Sequence, residues 1–172
     1  MNYFSFFQLP LSPTVDQAAL KKTFFANSRR FHPDFHTLKS EAEQQEALEQ
    51  STHNNRGYKI LKDRDQRLKH LLEVKGVLGA EGTNSVPQDF LMEIMDVNEA
   101  LMELEFEDDP AAREKVTGLI DQLEADLDAG VAGILTDYDD ATVTAAELEQ
   151  LKDYYLKRRY LRRLRSKGSP EM

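Results

Sequence analysis

The sequence predicts an all-α protein built as two helical halves. Three observations carry this. Every long periodic segment repeats its apolar residues at helical spacing, and none alternates as a strand does. Four segments open with Ser or Thr followed three residues later by Glu or Gln, the reciprocal cap of a helix N-terminus. They are Thr14 with Gln17, Ser40 with Glu43, Ser85 with Gln88 and Thr144 with Glu147. Finally, Gly76, Gly79 and Gly82 interrupt the pattern just before a new cap, which marks a linker.

The chain opens on Tyr3, Phe4, Phe6, Phe7 and Leu9, an aromatic plug closed off by Pro10 and Pro13. The first long helix is expected over Asp16–Phe31, with Leu20, Phe24 and Phe31 on one face. Lys21, Lys22, Arg29 and Arg30 lie mostly off that face. Pro33 cannot continue the helix and pushes His32 out of the α region, so the helix stops there. The next helix follows Ser40 and is expected to bury Leu48, Tyr58 and Leu61. A short final turn holds Leu68, Leu71 and Leu72. Residues 1–75 thus form an antiparallel helical hairpin with a lid.

Residues 76–84 are the linker, of a length that suits a flexible tether or a packed elbow. Residues 85–172 read as three helices. Residues 86–106 carry Phe90, Ile94, Val97, Leu101 and Leu104. Residues 110–136 open on Asp109 with Pro110 at the first helical position and carry Val116, Ile120, Leu123, Leu127, Val131 and Ile134. Residues 144–166 carry Leu148, Leu151, Tyr155, Leu161 and Leu164. A three-helix bundle is the natural closure.

Composition excludes several classes. The chain has no cysteine, so it can form no disulfide, thiolate zinc site or iron–sulfur ligation of its own. No apolar run approaches the length of a membrane span. The N-terminus lacks a basic n-region and the bias of a transit peptide, so a cytoplasmic location is the simplest expectation. The formal charge of −9 hides an asymmetry: residues 1–75 carry 12 Lys/Arg against 9 Asp/Glu, and residues 84–153 carry 3 against 20. An acidic middle argues against nucleic acid as the main partner. The basic tail, 7 Lys/Arg in residues 154–172, is better read as neutralising the acidic helices beside it.

His32-Pro33-Asp34 is the most informative motif. Asp34 can accept a bidentate hydrogen bond from a partner arginine, and His32 can donate or accept beside it. Lys21, Lys22, Arg29 and Arg30 would steer the turn towards an acidic surface. The competing reading is an ordinary helix–helix turn with solvated charges and a capping histidine; the pattern favours docking. A metal at His32 and His36 is disfavoured, because Pro33 breaks the helical spacing that would bring both imidazoles together. No phosphate loop, nucleophile elbow or Ser/His/Asp set is present. The second informative face is on the helix after Ser85. Leu91, Met92, Met95 and Met102 project away from the core stripe, among Asp96, Glu99 and Glu103. The residues alone do not choose between an adaptable binding surface and a helix buried on both sides.

A His-Pro-Asp turn after a Lys/Arg-bearing helix resembles the J-domain, the module that stimulates the ATPase of DnaK-class chaperones. Asn55, Tyr58, Leu61 and Asp63 fit its register; Gly57 and Arg64 depart from the usual Ala and Pro. Tyr3-Phe4 with Phe7, Leu9 and Pro10, Leu71-Leu72, and Phe90-Leu91-Met92-Glu93 extend the resemblance over the whole chain, to the HscB family of J-domain co-chaperones in bacterial iron–sulfur cluster assembly. That resemblance implies a J-domain (1–75), a linker (76–84) and a client-binding bundle (85–172). It implies no catalytic site and no cofactor. It implies docking of the chaperone HscA on His32, Pro33, Asp34, Lys21, Lys22, Arg29 and Arg30. It further implies docking of the scaffold IscU on Leu91, Met92, Met95, Asp96, Glu99, Glu103 and Tyr155. A J-protein with another client, or an enzyme of unknown chemistry, are the alternatives.

Overall fold

The computed structural model describes residues 1–80 and 82–168, and among these every regular element is helical. The first unit comprises Met1–Lys75 together with Tyr138–Ala141. It contains α1 (Tyr3–Phe6), α2 (Gln17–Arg30), a 3-10 turn (Pro33–Phe35), α3 (Glu41–Lys62) and α4 (Arg64–Val74). The second unit holds α5 (Gln88–Glu93), α6 (Met95–Phe106), α7 (Pro110–Thr136) and α8 (Ala145–Gly168).

Two of the four expected capping boxes form. Ser40 and Glu43 cap α3 reciprocally, and Thr144 and Glu147 do the same at α8. The other two do not. At α2 the cap is Asp16, whose Oδ1 accepts from the Ala18 and Ala19 amides, while the Thr14 amide donates to Ser12 Oγ. A carboxylate nearer the first turn displaces the hydroxyl, because it satisfies two orphan amides and meets the positive end of the helix dipole. At α5 the helix starts only at Gln88, with Pro87 in the capping position and no side-chain cap. Pro87 disfavours helical geometry at Val86, so Ser85 cannot open this helix. Asp109 caps α7 as expected, with Pro110 at the first position.

The hairpin of the first unit packs along a stripe at Ala47, Asn54, Gly57 and Leu61 of α3. Leu48, expected in the core, is 51% exposed instead. It lies well round the helix from a stripe set by the seven-residue spacing of Ala47, Asn54 and Leu61. Phe24 stacks on Tyr58 with ring centroids 4.1 Å apart. Buried Asn54 donates to the Phe24 carbonyl at 3.1 Å and to Ser28 Oγ at 3.2 Å, tying α3 to α2. Gly57 has a packing reason. A Cβ there would stand 2.5 Å from Tyr3 Cδ1 and 2.8 Å from Phe7 Cε2. The glycine costs α3 about 1 kcal/mol of helix propensity and opens the slot that seats the aromatic plug.

His70 closes that plug. Its Nε2 accepts the Tyr3 amide at 3.0 Å, and its ring stacks on Phe4 at 5.6 Å. Burial holds its pKa below the ordinary histidine value, with Glu73 opposing and the N-terminal ammonium adding to the effect. The folded state therefore disfavours the protonated form. Stability is fully present above the unfolded value near 6.5 and is lost as pH falls below it towards the folded value. Urea midpoints at about pH 7.5 and about pH 5 should differ more for the wild type than for His70→Gln. Equal pH slopes would remove His70 as the cause.

In the second unit, Phe90, Ile94, Val97, Ala100, Val116, Ile120, Leu161 and Leu164 form the core of the three-helix bundle. The run expected as one helix over 86–106 is divided at Ile94, where ψ is 1°. Its amide still donates to the Phe90 carbonyl, and its carbonyl accepts from Asn98. The basic tail pairs with acidic α7: Arg165 with Asp121 (2.6 Å) and Glu124 (3.2 Å), and Arg158 with Asp128 (3.3 Å).

Candidate functional site

The first candidate site is built by chain sterics. Helix α2 ends at Arg30, Phe31 caps it, and His32 turns extended at φ −63°, ψ 130°. Pro33, Asp34 and Phe35 then form a single 3-10 turn. His32 Nδ1 accepts the Asp34 amide at 3.2 Å. In the neutral ring this leaves the proton on Nε2, available as an outward donor. The Asp34 carboxylate makes no comparably short contact: its Oδ2 stands 3.7 Å from His32 Nδ1, and its side chain is 84% exposed. The turn is thus rigid in its backbone and open in its functional groups.

His36 has a separate task. Its Nε2 lies 2.9 Å from the Arg30 carbonyl, which can only accept, so this nitrogen carries the proton and caps the C-terminus of α2. The two imidazoles are committed to different local bonds. Among the described residues, no three His, Asp or Glu side chains are grouped to hold a metal.

Lys21, Lys22, Arg29 and Arg30 are all exposed. Lys22 and Arg29, seven residues apart, lie on the side of α2 opposite Leu20, Phe24 and Phe31. The Arg30 guanidinium sits 5.2 Å from the Phe31 ring and Lys21 Nζ 6.0 Å from the Phe25 ring. This places a cationic face leading into the turn. Sequence reasoning missed Phe35, which is exposed on the turn itself with its ring 6.1 Å from His32.

The second candidate site is on α5 and α6. Phe90 pins α5 to α8: its ring meets Tyr160 edge-on at 6.2 Å, and Lys157 Nζ lies 5.5 Å from it. With Phe90 and Ile94 buried, the neighbouring side chains must point outward. Leu91, Met92 and Met95 are 40%, 70% and 55% exposed. The helix is therefore not buried on both sides. Asp96, Glu99 and Glu103 are exposed around them, and Glu103 pairs with Lys115 of α7 at 3.1 Å.

Tyr155, on α8, is 8% exposed and shares its side of that helix with buried Leu148 and Leu151. It is more covered than the α5 and α6 residues. Helical periodicity marks a residue as apolar-faced, but it does not say whether the neighbouring surface is covered.

Comparisons with known proteins agree with this architecture. Residues 86–167 match the family described as the HSCB C-terminal oligomerisation domain. The chain is 33% identical over 165 residues to the co-chaperone HscB homologue of Pseudoalteromonas atlantica, covering 93% of each. It is 32% identical over 168 residues to that of Shewanella loihica, covering 96% of this chain and 94% of the relative. The crystal structure of human co-chaperone HscB superposes with a TM-score of 0.77 at 27% identity, covering 98% of this chain and 80% of that one. HscB from Vibrio cholerae superposes with a TM-score of 0.72 at 28% identity, covering 98% and 95%. These relatives are co-chaperones, a non-enzymatic class, and the chain belongs to the HscB co-chaperone family.

Proposed function

We propose that the chain binds the iron–sulfur scaffold IscU, delivers it to the DnaK-class chaperone HscA and stimulates that chaperone's ATPase, in the cytoplasm. The observation that carries this reading is that one chain displays two exposed surfaces of different chemistry. One is the His32-Pro33-Asp34 turn with Lys21, Lys22, Arg29 and Arg30, cationic and polar. The other is the Leu91, Met92, Met95, Asp96, Glu99 and Glu103 face, apolar and acidic, to which the more covered Tyr155 of α8 would add its exposed edge. The first would read an acidic chaperone surface and the second an apolar, basic-bordered client. Joining them in one chain raises the local concentration of client at the chaperone, so hydrolysis is triggered while a client is present. Cluster iron would be ligated by the scaffold, since this chain has no cysteine.

Single-turnover ATPase of HscA, with and without IscU, tests the reading. The chain should accelerate hydrolysis, and more so when the scaffold is present. Acceleration that ignores the scaffold, with binding of unrelated apolar peptides, would indicate a J-protein with a different client.

A further inference from the structure

The apolar side of α6 does not stop at Met95. Within this one helix, Met95, Met102 and Phe106 stand at i, i+7 and i+11, within about 20° of a single line along the axis. Met102 is 59% exposed and Phe106 89% exposed. The opposite side of the same helix, Val97, Ala100, Leu101 and Leu104, already faces the bundle core. The exposed residues are therefore a second apolar face and not the edge of the first. Single exposed apolar residues are ordinary, but three of them in a row along one side of a helix are not. From Met95 to Phe106 the row runs about 16 Å at helical rise.

The charge around it is one-sided. Met95–Asp109 carries seven acidic residues and no Lys or Arg. Intramolecular pairs engage only part of it: Glu103 with Lys115, and Asp108 with Arg113. Such a surface is complementary to an apolar patch bordered by Lys and Arg, and repels an acidic one.

The geometry points to Met102 and Phe106 as further client-docking residues, extending the proposed scaffold face along α6 to its C-terminal end. The occupant is the same client, engaged through an apolar patch with a basic border. This inference rests on the client-binding reading above and adds to it the length of the contact. Phe106, aromatic and almost fully exposed, would supply an anchor of the kind that dominates interface energies.

Calorimetric titration of IscU into three full-length proteins tests it: the wild type, Met102→Ser with Phe106→Ser, and Leu91→Ala with Met92→Ala. The serine pair should weaken the scaffold about tenfold or more with an unchanged melting transition, since both side chains are exposed. If the serine pair binds as the wild type does while the alanine pair is weakened, the extension is wrong and the client-binding reading stands. If neither pair is weakened, both fail. Sedimentation of the chain alone supplies a further check. A dimer that the serine pair dissociates would assign the stripe to a second copy of this chain and overturn the inference.

Discussion

Asp34→Asn should abolish stimulation of the chaperone's ATPase and leave scaffold affinity unchanged. The substitution is nearly isosteric and removes one negative charge. It leaves the turn intact, because the bond that holds His32 to Asp34 uses the Asp34 amide and not its carboxylate. The carboxylate itself is exposed and free to meet a partner. Losing one member of a charge-assisted contact at an interface costs on the order of 2 kcal/mol or more, about thirtyfold. Asparagine can still donate a hydrogen bond but cannot accept an arginine bidentately as a carboxylate does. Single-turnover ATPase rates beside calorimetry of scaffold binding are the measurements. Undiminished stimulation would sink the docking assignment for the turn, and a lowered melting temperature would show that Asp34 is structural instead.

Leu91→Ala with Met92→Ala should weaken scaffold binding about tenfold to a hundredfold and leave cooperative melting unchanged. Both side chains lie outside the bundle core, which is formed by Phe90, Ile94, Val97 and their partners. Truncating exposed side chains removes contact area for a partner without opening a cavity. The same change at Phe90 would cost several kcal/mol of folding stability, so Phe90→Ala is the contrasting control. A double variant that melts early or non-cooperatively would place these residues in the core, and full scaffold affinity would remove them from the client face.

Helix class, the interruption at the glycines and the turn at His32-Pro33-Asp34 are legible from sequence, because each depends on chain-local chemistry. Pro33 forbids a continuing helix, and the cap at Ser40 with Glu43 depends on atoms three residues apart. Where two local signals competed, the reading went to the wrong one. Asp16 outcompetes Thr14 as a cap, and Pro87 blocks the start offered by Ser85. Gly57 departs from the J-domain pattern, yet it is the slot for Tyr3 and Phe7, 50 or more residues away in sequence.

Sequence by itself determined an all-helical chain, a rigid His32-Pro33-Asp34 turn after a cationic helix, and an acidic helix with more apolar residues than one core stripe needs. Only the tertiary structure decided which of those residues face outward. Periodicity places Leu48, Leu91, Met95 and Tyr155 on their helices equally well. Burial depends on whether another helix lies across that face, and that helix comes from a remote part of the chain. So Tyr155 is covered while Leu91, Met92, Met95, Met102 and Phe106 are not, and the face proposed for the client is one that the bundle leaves exposed.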